Sequence, residues 1–386
     1  MAGLSENKCD YEKFNSNINN KHLTSKDIGT DYNYKYEIVW QNIVFFSVLH
    51  LLGFWGVYIF FTGGISLKTY VWFVTVMTLL GFGITAGAHR LFTHKCYKAK
   101  TPLKALLIVL QTASGQNTLY TWIRDHRLHH RYSDTDGDPH NSKRGFFFSH
   151  IGWLLTKKHP YIKELGKRID MSDIKADKLI TLQRKYYFYI FVVSSLLIPV
   201  GVPYYFFGEP FLTSLLVCFF ARYVVQLNGT WLVNSAAHLY GTRPYDKKLQ
   251  PVESWFVSLF SYGEGWHNYH HAFPWDYKAA ELPYFINLST AFIDFFAKLG
   301  LAYDLKTASQ EMVVNRIKST GDGTHFDLGN DEAKSSVTAT GIVHPLNITY
   351  NVTYPPPNTE LDEEGLPLCE TEVLQRTTFK RRSAKA

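Results

Sequence analysis

Histidine is the residue type whose spacing in this chain most clearly suggests chemistry. Sixteen occur among 386 residues, and nine form three clusters and one isolated position. The clusters read HRLFTH from His89, HRLHH from His126 and HNYHH from His267, and His238 stands four residues after Asn234. Positions i, i+3 and i+4 share one face of a helix, so each HxxHH cluster can direct three imidazoles into one cavity. The two histidines of the first cluster are five residues apart and would diverge on a straight helix, so we expect a bend or a helix end there.

Metal binding explains these clusters better than a chance arrangement. One HxxHH could consist of surface histidines, but four such features in one chain are hard to explain in that way. Nine imidazoles exceed the four ligands of a zinc site, and neither HExxH nor paired cysteines accompany them. Neutral imidazole binds Zn, Cu, Fe or Ni. The number favours two metals with four or five nitrogens each; iron would suit oxygen activation, but ligand number alone leaves the metal open.

Four apolar stretches are long enough to cross a bilayer and would position the clusters. They cover residues 40–61, 70–88, 187–207 and 211–233, and short turns join them into two helical hairpins. The membrane domain is predicted over residues 38–319. A flexible N-terminal tail, residues 1–37, precedes it, and a disordered C-terminal tail, residues 320–386, follows it.

Charge predicts the orientation of the hairpins. The two short connections contain a single basic residue, Lys68, whereas the N-terminal flank, residues 89–186 and the region after 234 are rich in Lys and Arg. By the positive-inside rule the termini and the histidine clusters face the cytosol. The polar N-terminus has no apolar signal-peptide core. A net charge of +7 without a nucleic-acid-binding motif favours an anionic lipid surface or an acidic partner.

The histidine motifs and their flanks resemble a known family. HRLFTH, HRLHH, HNYHH and NSAAH, with RDHRLHHRYSDTDGDPHN and YGEGWHNYHHAFP, resemble the animal acyl-CoA desaturases of the Δ9 stearoyl-CoA desaturase family, in a style typical of insects. The resemblance covers about residues 38–305. It implies an all-α membrane protein with four transmembrane helices in two hairpins and a cytosolic helical cap that holds a non-haem di-iron site.

The resemblance also implies the residues of the site. Those that would bind the two Fe ions, Asn234 through a water molecule, are His89, His94, His126, His129, His130, Asn234, His238, His267, His270 and His271. Gln116, Trp122 and Thr230 would lie at the kink of an acyl tunnel, and Trp231 would line it near the metals. Asn117, Arg124 and Asp125 would lie near the thioester or pantetheine. Lys157 and Lys158 would meet the phosphates of coenzyme A.

The expected reaction is the O2-dependent insertion of a cis double bond into a saturated long-chain acyl-CoA. Δ9 is the first expectation, and Δ11 or another position is open. Electrons would come from cytochrome b5 and its NADH-dependent reductase, and the protein would be a multi-pass protein of the endoplasmic reticulum membrane. The alternatives are an acyl-lipid hydroxylase or acetylenase on the same site and, from other classes, a membrane zinc hydrolase or a metal transporter.

Some neighbouring residues have two interpretations. Asp136, Asp138 and Glu264 are expected to orient imidazoles through the second ring nitrogen. His140 is expected to be structural or to support a ligand rather than to bind metal. Side-chain bulk at Met77 and Gly81 could limit the acyl chain length, or Gly81 could serve helix packing. Within the spans, His50, Arg222 and Asn228 are either functional or bonded between helices.

Overall fold

The computed structural model describes residues 23–281, 287–326 and 328. We number thirteen helices in this part of the chain: α1 Ser25–Ile28, α2 Trp40–Phe61, α3 Leu67–Thr93, α4 Thr101–Ala113, α5 Leu119–Arg131, α6 Pro160–Gly166, α7 Ser172–Ala176, α8 Lys178–Phe206, α9 Phe211–Leu239, α10 Trp255–Phe260, α11 His267–Ala272, α12 Leu288–Lys298 and α13 Gln310–Thr320. Three further helical segments, left without numbers, occur at Ser142–Arg144, Phe148–Gly152 and Trp153–Leu155. The strands β1, Lys98–Ala99, and β2, Ala302–Tyr303, pair antiparallel, with Lys98 opposite Tyr303.

Four helices, α2, α3, α8 and α9, are long and apolar enough to cross a membrane, so the predicted all-α multi-pass fold is confirmed. The first coincides with the predicted span, whereas the others extend beyond theirs. Hydropathy locates only the part of a helix that lies in the hydrocarbon core of the membrane. The helix itself continues beyond that part because its backbone hydrogen bonds do not depend on apolar side chains. These extensions carry His89 on α3, and Asn234 and His238 on α9.

The first histidine cluster lies on π-helical backbone, where we expected a bend or a helix end. Residues Gly83–Thr93 have π-helical winding, and the N–H of His94 donates to the carbonyl of His89 at 3.2 Å. A π-helix bonds residue i to i+5, so residues five apart return to the same side. This winding removes the divergence that an α-helix would impose on His89 and His94.

Close helix contacts hold α2 against α9. A Cβ atom added to Gly56 would lie 2.1 Å from the carbonyl oxygen of Leu216, and one added to Gly53 would lie 2.4 Å from Val224 Cγ2. Only glycine permits this approach. At the far ends of the hairpins, Glu209 Oε1 accepts hydrogen bonds from Ser66 N at 2.6 Å and from Thr69 Oγ1 at 2.9 Å, which joins the two turns.

Local signals define the helices of the cap, which is the part of the described chain outside the four membrane-spanning helices. Thr118 begins α5 by accepting a hydrogen bond from Thr121 N, and Pro102 occupies the first turn of α4. The cap core consists of apolar residues from α4, α5 and α12, among them Leu107, Ile123 and Ile293. This packing holds α5, which carries His126, His129 and His130, against α4 and α12.

Part of the predicted N-terminal tail is packed against the cap. Residues 23–37 are described, and Asp31 N donates to Asp136 Oδ2 at 2.8 Å. The segment continues beside residues 155–157, where Lys157 N donates to the carbonyl of Glu37 at 2.8 Å. Backbone pairing of this kind is not visible in a polar sequence. Residues 1–22 of that tail, and all of the predicted C-terminal tail except 320–326 and 328, lie outside the described residues.

Candidate metal centre

Five histidines, which lie on three helices or directly after one, form the first of two all-histidine groups. Their ligand atoms all lie within 4.8 Å of one another. The five residues are His89, His94, His126, His130 and His270. The Nε2 atom of His270 lies 3.0 Å from Nε2 of both His89 and His130. The Nε2 atoms of His94 and His126 are also 3.0 Å apart. Five imidazoles from distant parts of the chain therefore converge through the same ring nitrogen.

Four buried histidines form the second group: His129, His238, His267 and His271. The Nε2 atoms of His267 and His271 are 3.2 Å apart. The groups adjoin each other, because the rings of His130 and His271 stack with centroids 4.1 Å apart. The nine predicted histidines are thus divided five and four.

Each HxxHH cluster is shared between the two groups. On α5, His126 and His130 belong to the first group and His129 to the second. On α11, His267 and His271 belong to the second group and His270 to the first. Successive helical residues rotate by about 100°, so i+3 and i+4 lie on opposite sides of i. The shared face that the spacing predicts therefore serves two adjoining centres, with the i, i+4 pair at one and residue i+3 at the other.

The donor set fits bound cations. Nitrogen–nitrogen edges of 3.0 Å are what metal–nitrogen distances of about 2.1 Å produce at right angles. Burial, followed by the neighbouring histidines, holds the pKa of His126, His130 and His270 well below the ordinary value. Each ring is therefore neutral at physiological pH and has a lone pair to offer, which is the form that binds a metal. Ring nitrogens this close must share a proton or a cation, and the convergence of five Nε2 atoms favours a cation.

Carboxylates face the second nitrogen of three of these histidines. Glu264 Oε2 lies 2.7 Å from His89 Nδ1, and Arg90 Nη2 donates to Oε1 at 2.8 Å. Asp138 Oδ2 lies 2.8 Å from His129 Nδ1. Burial alone would raise the pKa of Glu264, but Arg90 and then His89 lower it to about 2. An ionised carboxylate in this position fixes the ring and leaves Nε2 as the nitrogen that faces the centre.

The third carboxylate is Asp134, which was not among the predicted supporting residues. Its Oδ2 lies 3.1 Å from His238 Nδ1. Burial opposes its ionisation, but His238 outweighs this and lowers the pKa of Asp134. The predicted Asp136 does not contact any of the nine histidines in the described chain; its Oδ1 binds Arg144 at 2.6 Å and its Oδ2 binds the N-terminal segment. Spacing could not distinguish the two, because His238 is 104 residues away from Asp134.

A cavity of about 760 Å³ reaches this centre. Phenylalanines and other apolar residues of α2, α8 and α9 form its walls, and His126 and Asn234 lie at its lining. The predicted substrate residues that line it are Gln116, Asn117, Trp122, Asp125, Thr230 and Trp231. Gln116 Nε2 donates to Thr230 Oγ1 at 2.8 Å, which links α9 to the loop before α5. Trp122 stacks on His126 with ring centroids 4.9 Å apart.

The predicted basic residues lie beside the cavity rather than in its lining. Asp125 binds two of them, since Oδ1 accepts from Arg124 Nη2 at 2.6 Å and Oδ2 from Lys158 Nζ at 2.5 Å. Lys157 Nζ lies 2.5 Å from Glu37 Oε2 in an exposed ion pair. The cationic side chains are therefore held by acidic partners.

Two predicted tunnel positions are packed elsewhere. Met77 and Gly81 do not line the cavity, and a Cβ atom added to Gly81 would lie 2.2 Å from Cε2 of Tyr262. The contact with Tyr262 therefore agrees with the second interpretation of Gly81, a glycine needed for helix packing.

Polar groups of the spans bond to one another. Asn228 Nδ2 lies 3.2 Å from His50 Nε2, and Asn228 Oδ1 lies 3.0 Å from His150 Nε2. Arg222 is fully buried and donates to the carbonyls of Cys218 and Ser195, at 2.9 Å each. Both of these carbonyls lie in π-helical segments, Val192–Leu197 and Leu216–Ala221, whose winding leaves carbonyls free to accept. These contacts account for all three intramembrane polar residues.

Known proteins resemble this chain over most of its length. The sequence matches the fatty acid desaturase family over residues 70–285. It is 51% identical over 293 residues to an acyl-CoA Delta-9 desaturase of Acheta domesticus, covering 76% of this chain and 81% of that protein. It is 52% identical over 291 residues to a stearoyl-CoA desaturase of Homo sapiens, covering 75% and 80%. It is 53% identical over 292 residues to a (11Z)-hexadec-11-enoyl-CoA conjugase of Bombyx mori, covering 75% and 88%.

Proposed function

Because this chain belongs to the fatty acid desaturase family, we propose that it inserts a cis double bond into a saturated long-chain acyl-CoA with O2 at a pair of iron ions. The chain is an oxidoreductase of the acyl-CoA desaturase type. The observation that carries the proposal is the pairing of nine converging imidazoles with an apolar cavity that reaches His126.

Iron is the metal that suits both the ligands and the reaction. Nine nitrogens divided five and four can hold two ions, and imidazole is a good ligand for iron. Bound iron would supply the activation of O2 that removal of hydrogen from an unactivated methylene requires. Acid–base groups cannot replace it, because these C–H bonds have no acidic proton. His89, His94, His126, His130 and His270 would hold one ion; His129, His238, His267 and His271 would hold the other, with Asn234 acting through water.

The protein's own contribution is to position the chain and exclude water. An alkyl chain has no polar feature along its length, so the reacting carbon must be chosen by its distance from a fixed head. Lys157 and Lys158 offer cations for the phosphates of coenzyme A, and Arg124 would lie near the thioester or pantetheine. The bonded pair Gln116 and Thr230 would make the acyl chain bend between this head and the far end of the cavity.

Electrons must reach the buried centre from a separate donor. We assign this role to cytochrome b5 and its NADH-dependent reductase, on the resemblance to the family and on the basic character of the chain. The proposed location is the endoplasmic reticulum membrane, with the termini and the metal centre on the cytosolic side. The positive-inside distribution of Lys and Arg supports that orientation.

The position of the double bond has two candidates. The relative named an acyl-CoA Delta-9 desaturase supports Δ9. A conjugase relative of equal similarity supports a second output, in which the same centre acts at C11 or on an existing double bond. Hydroxylation and acetylenic bond formation use the same first hydrogen removal, and the histidines do not separate them from desaturation. A zinc hydrolase or a metal transporter does not fit the family.

Expression in a yeast strain that lacks its own Δ9 desaturase tests the proposal. We expect monounsaturated fatty acids, their double bond located by mass spectrometry of derivatised products, and about two irons per purified chain. His270→Ala should abolish the product, because His270 contacts both His89 and His130 at 3.0 Å. Only saturated or hydroxylated lipid from the wild-type protein, or zinc in place of iron, would contradict the proposal.

A further inference from the structure

Four large apolar side chains of α10 are exposed, although this helix belongs to the cap. The four residues, 47–69% exposed, are Trp255, Phe256, Leu259 and Phe260. Val257, which lies between them on the inner side of the helix, is fully buried. The helix contains no charged residue. Neighbouring exposed apolar side chains of this size mark a surface that contacts lipid or another protein.

The helix α12 has a second set of exposed apolar side chains. They are Leu288, Phe295 and Leu299, 45–57% exposed. Positions i, i+7 and i+11 share one face of an α-helix, so the three point in the same direction. The two helices adjoin, because Ser289 N donates to the carbonyl of Tyr262, two residues after α10, at 3.2 Å. We call these seven exposed side chains of α10 and α12 the apolar face.

The helix α10 and the turn after it contact the membrane-spanning helices inside the predicted spans. The carbonyl oxygen of Phe260 would lie 3.1 Å from a Cβ atom added to Gly229 of α9, and the ring of Tyr262 packs on Gly81 of α3. Gly229 lies four residues, and Gly81 seven residues, inside the histidine-bearing ends of those spans. At about 1.5 Å per residue, these contacts lie about 6 and 10 Å inside the apolar ends. The apolar face therefore adjoins the surface that the spans present to lipid.

The residues at the ends of the two helices suit a membrane interface. Trp255 begins α10, and Lys298, which is exposed, ends α12. Trp is enriched where a membrane meets water, and the long side chain of Lys can extend its ammonium group from an apolar surface to the lipid phosphates. The other charged residue of α12, Asp294, is buried, and its Oδ1 accepts from Tyr277 OH at 3.1 Å. No charge on either helix would have to face hydrocarbon.

We propose that α10 and the exposed side of α12 lie in the membrane interface, with the apolar face in contact with lipid acyl chains. Lipid fits better than a protein partner, because the face continues the surface of the spans at the depth of the Gly229 and Gly81 contacts. The cap is then partly embedded in the bilayer. Since His267 follows Phe260 by seven residues, the embedded helix would also fix the height of α11 and its histidines above the membrane. The inference concerns a lipid-binding surface and does not depend on the reaction.

Nitroxide labels on the apolar face measure its depth in a bilayer. The label is attached to the single variants Phe256→Cys, Leu259→Cys and Phe295→Cys of the full chain, reconstituted in phosphatidylcholine vesicles. Collision with O2, which concentrates in lipid, is compared with collision with a water-soluble nickel chelate. We expect O2 to dominate at all three positions, with a depth of about 5–10 Å into the boundary between headgroups and acyl chains.

The native cysteines and the fold are controlled separately. Cys9 and Cys369 are replaced by serine, while Cys96 and Cys218 are buried and stay unlabelled. The melting temperature of each labelled protein should stay close to that of the wild type, because all three labelled side chains are exposed. The three positions are independent, so a variant that fails to fold leaves two others to decide.

Two reference positions calibrate the depth. Leu51→Cys, near the middle of α2, should be deeper than the apolar face, and Lys167→Cys, on an exposed side chain of the cap, should collide mainly with the nickel chelate. Collision frequencies at Phe256 and Leu259 equal to those at Lys167 would overturn the inference, because α10 would then lie in water. Little collision with either reagent would overturn it as well, since a second copy of the chain or another protein would then cover the face.

Discussion

Glu264 lies on the side of the His89 ring away from the metal centre, with its Oε2 2.7 Å from His89 Nδ1. Its other oxygen accepts from Arg90 at 2.8 Å. Glu264→Gln offers one oxygen and one amide nitrogen in place of two oxygens, so either His89 or Arg90 loses its acceptor. We expect about 10- to 100-fold weaker metal binding or activity. Iron per chain after equilibration with a metal buffer, together with turnover, measures the effect.

Glu253→Gln is the matched control for Glu264→Gln. Glu253 is a half-buried residue whose carboxyl accepts from Tyr269 N at 2.8 Å, and no hydrogen bond or ion pair in the described part of the chain joins it to any of the nine histidines. Burial raises its pKa to about 8, so it is mostly protonated at pH 7 and glutamine resembles it closely. Iron content should stay at the wild-type value. Equal iron loss in both variants would contradict a specific role for Glu264.

Asp134 should affect metal binding by the second histidine group and leave metal binding by the first group unchanged. Asp134→Asn removes the charge that faces His238 Nδ1 at 3.1 Å. We expect the variant to lose about one of two irons, because the first group has its own carboxylate in Glu264. Metal analysis with stepwise chelation measures the number of ions retained and their order of loss.

The control for this prediction is Asp136→Asn. Asp136 is equally buried but binds Arg144 and the N-terminal segment. The Asp136→Asn variant should hold residues 23–37 less tightly, and proteolysis in that segment should be faster. It should retain both irons. Retention of both irons by Asp134→Asn would remove Asp134 from the support of the centre.

The sequence predicts the helical elements well and the assignment of individual contacts less well. Hydropathy located all four spans because the bilayer demands about 20 apolar residues wherever a helix crosses. Histidine spacing identified nine rings that the structure brings together. Both patterns are local, so they are visible in one stretch of chain.

What the sequence left open depends on long-range contacts. Asp134 and Asp136 are two residues apart and chemically identical, yet only Asp134 meets His238. The surroundings of Gly81 depend on Tyr262, which is distant in the chain. The π-helical winding at His89 depends on how α3 meets its neighbours, and helix propensity carries little information about it.

Glu37 should compete with the substrate's phosphates for Lys157. The pair is exposed, so it is weak and screened by salt. Glu37→Gln frees Lys157 and should lower KM for acyl-CoA by about twofold at low ionic strength, the scale of a surface ion pair. Lys157→Ala should raise KM and reduce its dependence on salt. Initial rates at several salt concentrations measure both effects.

A second exposed pair serves as the control for Glu37. Lys167 Nζ lies 2.7 Å from Glu164 Oε1, and neither residue lines the cavity. Glu164→Gln removes one negative charge, as Glu37→Gln does, and should leave KM unchanged. In the double variant Glu37→Gln/Lys157→Ala, KM should equal that of Lys157→Ala. A further decrease in that background would show that Glu37 does not act through Lys157.

A substitution at Gly81 distinguishes a role in helix packing from a role in limiting the acyl chain length. In Gly81→Ala the new Cβ would lie 2.2 Å from Tyr262, and the ring must shift. We expect a loss of about 1–3 kcal/mol in stability, typical of overpacking. Gly201→Ala on α8 is the control, because its Cβ would meet Tyr205 at an ordinary 3.8 Å. The first variant should melt at a lower temperature in detergent and keep the wild-type double-bond position and chain-length preference, since Gly81 does not line the cavity. A changed chain-length preference at an unchanged melting temperature would instead support the tunnel interpretation of Gly81.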